Sequence, residues 1–210
     1  MIKTVMFDFG GVIFDLDYEG AVRRFSEMGL SDAAQRLDRY HQRGIFEDLE
    51  CGRLTPMQFV EALQPLCDRP IDRAAVAHAW LGYVGAPVSE LKLAYIDALR
   101  QRGVQVVLMS NTNPFVQEWA ESPAFSASGR TLASYMDRQV LSYEIGIMKP
   151  ATDFFHYALR RYDLKAGECI FLDDSQANID VAASMGLHTM LVSKNADWRE
   201  ALTARLSQTD

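Results

Sequence analysis

The chain has 210 residues, of which 49% are hydrophobic and 23% charged, and this composition excludes a disordered or collagen-like protein. Its formal charge of −7 disfavours broad binding to nucleic acid, and no block of basic residues offers a local exception. The three cysteines lack metal-ligand spacing and the amino-terminal apolar run is too short for a membrane span, so we expect a cytoplasmic protein that binds neither membrane nor nucleic acid.

Short apolar runs without clean alternation predict strands that are buried on both faces of a parallel sheet. These runs are Thr4 to Phe7, Val104 to Met109, Cys169 to Leu172 and Thr189 to Val192. Helical patterns lie between them, at 91–102 with Leu91 on the apolar face, and at 154–162 with Pro150 in the first turn. The alternation of strands and helices predicts an α/β fold with a doubly wound, Rossmann-like parallel sheet.

The long stretch between the first two predicted strands does not fit a simple crossover. Residues 18–86 contain several short helical patterns, separated by breakers, but no convincing core strand. We therefore expect a helical cap at 16–86, inserted into an α/β core domain formed by 1–15 and 87–210. Residues 122–134 are small and polar and predict a loop.

Polar side chains follow three of the predicted strands at the point where each strand ends. They are Asp8, Ser110, Asn111, Asp173 and Asp174. Each alone favours a helix cap or a turn, but ligands of open parallel sheets bind outside the carboxyl ends of the strands. Carboxylates brought together there repel each other unless a cation joins them, and Mg²⁺ accepts such ligands together with phosphate oxygens. The pattern indicates phosphoryl chemistry on a small phosphorylated substrate.

Lys149, in the sequence GIMKP, supplies a compact positive charge that suits a phosphate group. The alternative is a solvated loop lysine, which is the usual situation for this residue type. Its position beside a proline, at the start of a predicted helix, favours the site over the surface.

Four motifs occur in the order typical of the haloacid dehalogenase-like (HAD) superfamily. They are VMFDFGGV (5–12), VVLMSNTN (106–113), GIMKP (146–150) and IFLDDSQANID (170–180). Over nearly its whole length the chain resembles a HAD hydrolase with an inserted helical cap. The cap sequence IFEDLECGRLTPMQF resembles the branch that includes α-glucose-1-phosphate phosphatase and the phosphatase domain of soluble epoxide hydrolase.

The resemblance implies a role for each of these residues. Asp8 is the nucleophile that forms an aspartyl-phosphate and also binds Mg²⁺. Asp174 is a second ligand of Mg²⁺, and Asp173 either assists it or orients it. The transferring phosphoryl group is held, and its charge offset, by Ser110, Asn111 and Lys149.

The chain departs from the family pattern at Gly10. Most family phosphatases carry an acidic residue two positions after the nucleophile, and general acid–base help of this kind is worth about 10² to 10⁴ in rate. Glycine retains the backbone carbonyl that the family gives to Mg²⁺, but not the acid. The predicted function is a sugar-phosphate phosphatase. The alternatives are a metal-independent 2-haloacid dehalogenase and a non-catalytic sugar-phosphate sensor. The adjacent carboxylates of Asp173 and Asp174 favour the metal-dependent phosphatase, and a sugar 1-phosphate would depend less on a strong acid.

Three residues are candidates for the missing acid or for contact with the substrate. Asp15 lies where the first strand's loop meets the cap, while His41 and Glu47 are in the cap itself, where an ordinary polar surface is the alternative. Asp17 precedes a helical pattern and is expected to be its N-cap.

Overall fold

The computed structural model describes residues 1–38 and 42–207 and contains a parallel sheet of five strands. The strands are β1 (Thr4–Phe7), β2 (Gln105–Ser110), β3 (Arg138–Leu141), β4 (Cys169–Asp173) and β5 (His188–Leu191). They pair in the order β3-β2-β1-β4-β5, so that β1 is central and lies between β2 and β4. The predicted α/β fold with a doubly wound parallel sheet is confirmed.

The three central strands, β1, β2 and β4, form because their side chains are buried on both faces. Val5 and Phe7 point into the larger hydrophobic cluster, which continues into the helices between β1 and β2. Met6 points into a smaller cluster on the opposite face, where Phe154 and Phe155 cover the sheet. Burial on both sides explains why the apolar runs do not alternate with polar residues.

Helices follow the strands and also fill the long stretch after β1. Between β1 and β2 the chain forms α1 (Tyr18–Met28), α2 (Ala33–Arg36), α3 (Ile45–Glu50), α4 (Pro56–Leu63), α5 (Arg73–Trp80) and α6 (Glu90–Gln101). The later helices are α7 (Pro114–Ala120), α8 (Leu132–Tyr135), α9 (Ser142–Ile145), α10 (Thr152–Arg161), α11 (Gln176–Ser184) and α12 (Arg199–Ser207). Single 3₁₀ turns occur at Gln64–Leu66, Leu81–Tyr83 and Ala166–Glu168. Within the described parts of the chain, every helix is too short or too polar to cross a bilayer.

The two chain segments that lead into and out of helices α1 to α5 run side by side. The Asp17 N–H donates to the Tyr83 carbonyl and the Gly85 N–H donates to the Asp15 carbonyl, both at 2.8 Å. Asp17 also caps α1, because its Oδ1 accepts from the Gly20 N–H at 2.9 Å, as its position predicts. This paired neck supports the proposed division into a core of 1–15 and 87–210 and a cap of 16–86.

Close to the end of α3, the cap meets the core through backbone atoms. Gly52 has a φ of +67°, and a Cβ at this position would overlap the carbonyl oxygen of Tyr143 on α9. Only glycine combines this backbone conformation with so close an approach. The end of α3 is therefore fixed against the core domain.

Some local predictions are wrong. Strand β3 was not predicted. It lies at the edge of the sheet, and its first two residues, Arg138 and Gln139, are polar, so it does not form a continuous apolar run. Pro150 precedes α10 instead of occupying its first turn, since that helix begins at Thr152. The predicted loop at 122–134 holds except at its end, where α8 begins with Leu132.

Helix α6 forms as predicted, but with a different buried face. Leu91 is 62% exposed, whereas Lys92 is only 4% exposed. The Lys92 ammonium donates to the Val12 carbonyl at 2.9 Å, so that its alkyl chain packs inside the protein. The apolar side chains that α6 buries are Leu93, Ile96 and Leu99.

Candidate active site

Three adjacent strands deliver polar side chains to one edge of the sheet. Asp8 directly follows β1, Ser110 ends β2 and Asp173 ends β4. Because β1 pairs with both β2 and β4, the ends of these strands are neighbours. The Asp8 N–H donates to the Leu172 carbonyl at 2.8 Å, which extends the pairing of β1 with β4 up to the site.

Lys149 lies between two of these carboxylates. Its Nζ donates to Asp8 Oδ1 and to Asp173 Oδ2, each at 2.7 Å, and the side chain is only 1% exposed. Burial alone would lower the pKa of Lys149, but the charges of Asp173 and Asp8 outweigh it and the pKa is raised. Lys149 is therefore a buried cation held against the nucleophile that the motif predicts.

Asn111 holds the Lys149 backbone in place. Its Nδ2 donates to the Lys149 carbonyl at 2.9 Å, and its Oδ1 accepts from the Lys149 N–H at 2.8 Å. Both polar atoms of the Asn111 side chain are thus occupied, although the residue lines the site together with Ser110. The Ser110 hydroxyl donates to the Asn111 carbonyl at 3.3 Å, a weak bond that leaves it free to rotate toward a ligand.

The two acids after β4 have different surroundings. Asp173 is fully buried and accepts hydrogen bonds from Lys149, from the Ser175 N–H and from Asn178 Nδ2. Asp174 Oδ2 is buried without a hydrogen-bond partner among the described residues. Such an orphaned carboxylate oxygen requires a ligand, because burial without a partner is costly.

The carboxylates fit a divalent cation with oxygen ligands. Asp8, Asp173 and Asp174 each offer an oxygen, and these atoms lie within 4.8 Å of one another. Burial raises the pKa of Asp8 to about 7, with Asp173 and Asp174 adding to the rise and Lys149 opposing it. Burial, with the Asp173 charge, likewise raises the pKa of Asp174 to about 6. A dication placed among these groups would stabilise the buried carboxylates and offset the repulsion between them.

The loop after β1 closes onto Asp174 through a glycine. Gly11 has a φ of +77°, and a Cβ on it would lie 2.5 Å from Asp174 Oδ2. The neighbouring Gly10 lines the same site as Asp8 and Asp174. The glycine pair therefore lets backbone approach the position where the cation would bind.

A cavity of about 110 Å³ lies between this sheet edge and the cap. Its floor contains Asp8, Lys149 and the residues around them. Its remaining wall combines apolar and polar side chains, including Phe14, Leu16, Gln42, Glu50, Trp80, Tyr83, Thr112, Asn113 and Val116. A charged head group on the floor would thus leave the rest of a small ligand facing cap residues.

The structure does not bring two of the predicted acid candidates, Asp15 and Glu47, to this cavity. The Asp15 side chain is 43% exposed and lies 3.8 Å from Lys92 Nζ, outside the set of residues that line the cavity. Glu47 is similarly exposed and accepts from Arg53 at 3.1 Å. His41 lies outside the described residues.

Sequence reasoning missed Glu50, which is the buried acid of the cap. It is 8% exposed, lines the cavity and ends α3. Burial raises its pKa to about 8, with the Asn113 side chain acting in the opposite direction. A signal was present, since Phe46, Leu49 and Glu50 stand at positions i, i+3 and i+4, the spacing of one buried helix face.

The chain matches known proteins over most of its length. Residues 2–186 match the family model described as haloacid dehalogenase-like hydrolase. D-ribitol-5-phosphate phosphatase of Bacteroides thetaiotaomicron is 44% identical over 207 residues, which cover 99% of this chain and 100% of that protein.

Two solved structures are similar over nearly the whole chain. A predicted HAD-like family hydrolase of Porphyromonas gingivalis superposes with a TM-score of 0.92 at 36% identity, covering 98% of each chain. A HAD family enzyme of Bacteroides thetaiotaomicron, crystallised with magnesium and inorganic phosphate, superposes with a TM-score of 0.90 at 26% identity, covering 96% of this chain and 99% of that one.

Proposed function

This chain belongs to the haloacid dehalogenase-like hydrolases and is a magnesium-dependent phosphatase, and we propose that it hydrolyses a small sugar or polyol phosphate through an aspartyl-phosphate on Asp8. The observation that carries the proposal is the contact of Lys149 with both Asp8 and Asp173, beside the unpartnered oxygen of Asp174.

Asp8 attacks phosphorus in this proposal, and Lys149 prepares it for the attack. The Lys149 ammonium, 2.7 Å from Asp8 Oδ1, favours the ionised carboxylate and fixes its orientation. It also offsets the negative charge that nucleophile and phosphate share as they approach. Asn111 acts through its bonds to the Lys149 backbone, so we assign it to positioning the lysine, while the Ser110 hydroxyl faces the phosphoryl group.

We assign the metal ligands from the oxygen atoms at the site that are not already occupied by hydrogen bonds. Asp8, Asp174 and the Gly10 carbonyl would hold Mg²⁺, and Asp173 would orient the site, because its own oxygens already accept from Lys149 and Asn178. When bound, Mg²⁺ supplies positive charge to the phosphoryl oxygens.

The cavity supports a small hydroxylated substrate. Gln42 and Tyr83 join Glu50 and Asn113 in its wall, so the part of the ligand beyond the phosphate meets several hydrogen-bonding side chains. The relative that shares 44% identity is a D-ribitol-5-phosphate phosphatase, which supports a polyol phosphate as the substrate class.

A phosphate-release assay tests the proposal. We expect D-ribitol 5-phosphate and related sugar phosphates to give a higher kcat/KM than nucleotides or phosphorylated acids, with all release abolished by EDTA and restored by Mg²⁺. Rapid quenching should show a phosphoryl group on the wild-type protein, and none on Asp8→Asn. A preference for nucleotides would overturn the substrate class, and halide release from a 2-haloacid that EDTA does not affect would overturn the reaction.

A further inference from the structure

The proposed reaction needs a proton donor that the loop after β1 does not supply. The leaving group of a polyol phosphate is an ordinary alkoxide, which departs readily only when it is protonated. Position 10 is glycine, and a Cβ there would lie 3.0 Å from Leu16 Cδ1, with the Phe14 ring next to it. Apolar side chains thus crowd the space where an acid at this position would begin.

Glu50 is placed to supply the proton from the opposite wall. It lines the same cavity as Asp8, and the backbone contact of Gly52 with Tyr143 fixes the end of its helix against the core. Burial raises its pKa to about 8, with the charge of Glu47 as a smaller contribution in the same direction. Glu50 is therefore protonated at neutral pH and faces the cavity as a donor.

Other polar residues of the cap wall are less suited to the task. Gln42 has no ionisable proton, and its Nε2 donates to Tyr83 and to the Asp38 carbonyl. Burial raises the pKa of the Tyr83 hydroxyl far above neutrality, and this hydroxyl donates to the Asp38 carbonyl at 3.1 Å. Among the described residues of the cap wall, Glu50 is the acid whose proton can be transferred near neutral pH.

We propose that Glu50 is the general acid of this enzyme and protonates the leaving oxygen, in place of the acid that family phosphatases usually carry at position 10; this inference rests on the proposed function. In the first step an Asp8 oxygen bonds to phosphorus, the bond from phosphorus to the leaving oxygen breaks, and that oxygen takes the proton of Glu50. In the second step water attacks the aspartyl-phosphate, the bond from phosphorus to Asp8 breaks, and the proton of the water returns to Glu50.

Asn113 is placed to stabilise Glu50 between the two steps. Its Oδ1 caps α7 by accepting from the Phe115 and Val116 N–H groups, whereas its buried Nδ2 has no hydrogen-bond partner among the described residues. The Asn113 side chain is close enough to Glu50 to lower the pKa of its carboxyl, the direction expected of an amide donor that favours the carboxylate form. The Asn113 amide would donate a hydrogen bond to the Glu50 carboxylate once Glu50 has transferred its proton.

Leaving-group dependence tests the inference. For Glu50→Gln, kcat/KM should fall by about 10² to 10⁴ on D-ribitol 5-phosphate, because that constant includes departure of the alkoxide. On p-nitrophenyl phosphate, whose leaving group needs no proton, kcat/KM should change less than about threefold, while kcat falls because the second step lacks its base. The matched control is Glu27→Gln on α1, an exposed glutamate of the cap, which should leave both esters unaffected.

A pH profile of the wild type provides the second measurement, which needs no variant to fold. We expect kcat/KM for the polyol phosphate, relative to that for the aryl phosphate, to fall as pH rises through about 8. We expect the other ionisable groups on α3, at its end, on the elements packed against it and in the cavity to affect both esters alike. They are Glu47, Asp48, Cys51, Arg53, Glu61, Tyr83, Tyr143, Glu144, Asp8, Lys149, Asp173 and Asp174.

The outcomes separate this inference from the function beneath it. If Glu50→Gln lowers kcat/KM equally for both esters, Glu50 is not the general acid. The same follows if the wild-type ratio of kcat/KM for the polyol phosphate to that for the aryl phosphate does not change between pH 6 and pH 9.5. Either result would leave the phosphatase function intact. A wild-type protein that releases no phosphate from either ester would overturn the proposed function, and the inference with it.

Discussion

Replacement of Glu50 by glutamine should make the folded protein more resistant to alkali. Burial raises the pKa of Glu50 from its usual 4.5 to about 8, so the folded state binds this proton more tightly than the unfolded chain does. The stabilisation that follows is fully present below the unfolded pKa and is lost as pH rises through about 8. Each pH unit between those limits removes about 1.4 kcal/mol, so a rise from pH 5 to pH 8 costs the wild type at most about 4 kcal/mol. Glutamine has a similar shape and no proton to lose.

Urea unfolding between pH 5 and pH 9, in EDTA and followed by circular dichroism, measures this effect. The difference in free energy of unfolding, Glu50→Gln minus wild type, should become more positive as pH rises, by up to about 4 kcal/mol. The free energy of unfolding of Glu27→Gln should change with pH in parallel with that of the wild type, because the Glu27 carboxylate is exposed on α1. Asp8 and Asp174 also titrate in this range, but they are common to all three proteins and cancel in the differences. A difference between Glu50→Gln and wild type that stays constant across the range would refute the assignment of a buried, neutral carboxyl to Glu50.

Three substitutions test the floor of the site. Lys149→Met removes the cation that contacts Asp8 and Asp173 at 2.7 Å, and phosphate release at saturating Mg²⁺ should fall by about 10²- to 10³-fold. Asp174→Asn should raise the Mg²⁺ concentration that gives half-maximal activity at least about tenfold, since it replaces the unpartnered oxygen with a weaker ligand. Gly11→Ala places a Cβ 2.5 Å from Asp174 Oδ2 at a positive φ, and a Mg²⁺ titration should show a similar shift without any change of a ligand. An unchanged Mg²⁺ requirement in both of the last two variants would contradict our choice of ligands.

The sequence was most informative where a short-range pattern determines the structure. Continuous apolar runs predicted β1, β2 and β4 because burial on both faces removes the alternation of polar residues, and the apolar run at 189–192 predicted the edge strand β5 although that strand is only partly buried. In a parallel sheet the carboxyl ends of the strands lie at one edge. Because Asp8, Ser110 and Asp173 come at or directly after the ends of predicted strands, the sequence placed all three at that edge. The edge strand β3 was not predicted, because half of its residues are polar and only one neighbouring strand pairs with it.

The side-chain contacts of the site were less accessible from the sequence. Asn111 was expected to hold the phosphoryl group, but its amide binds the Lys149 backbone, a partner 38 residues away. Glu50 was not among the predicted site residues: its spacing from Phe46 and Leu49 indicates a buried helix face, but its place in the cavity depends on how α3 packs in the fold. Asp15 was expected near the substrate, yet the neck turns its side chain toward Lys92.

The backbone contact at Gly52 has a consequence for how the substrate range of such an enzyme can be altered. Both partners, Gly52 and the Tyr143 carbonyl, contribute main-chain atoms, so the separation between the end of α3 and the sheet edge does not depend on the size of any side chain. Exchange of Gln42, Trp80 or Val116 would therefore reshape the cavity without touching this backbone contact. Libraries that aim at new phosphate esters should vary those lining residues and leave position 52 as glycine.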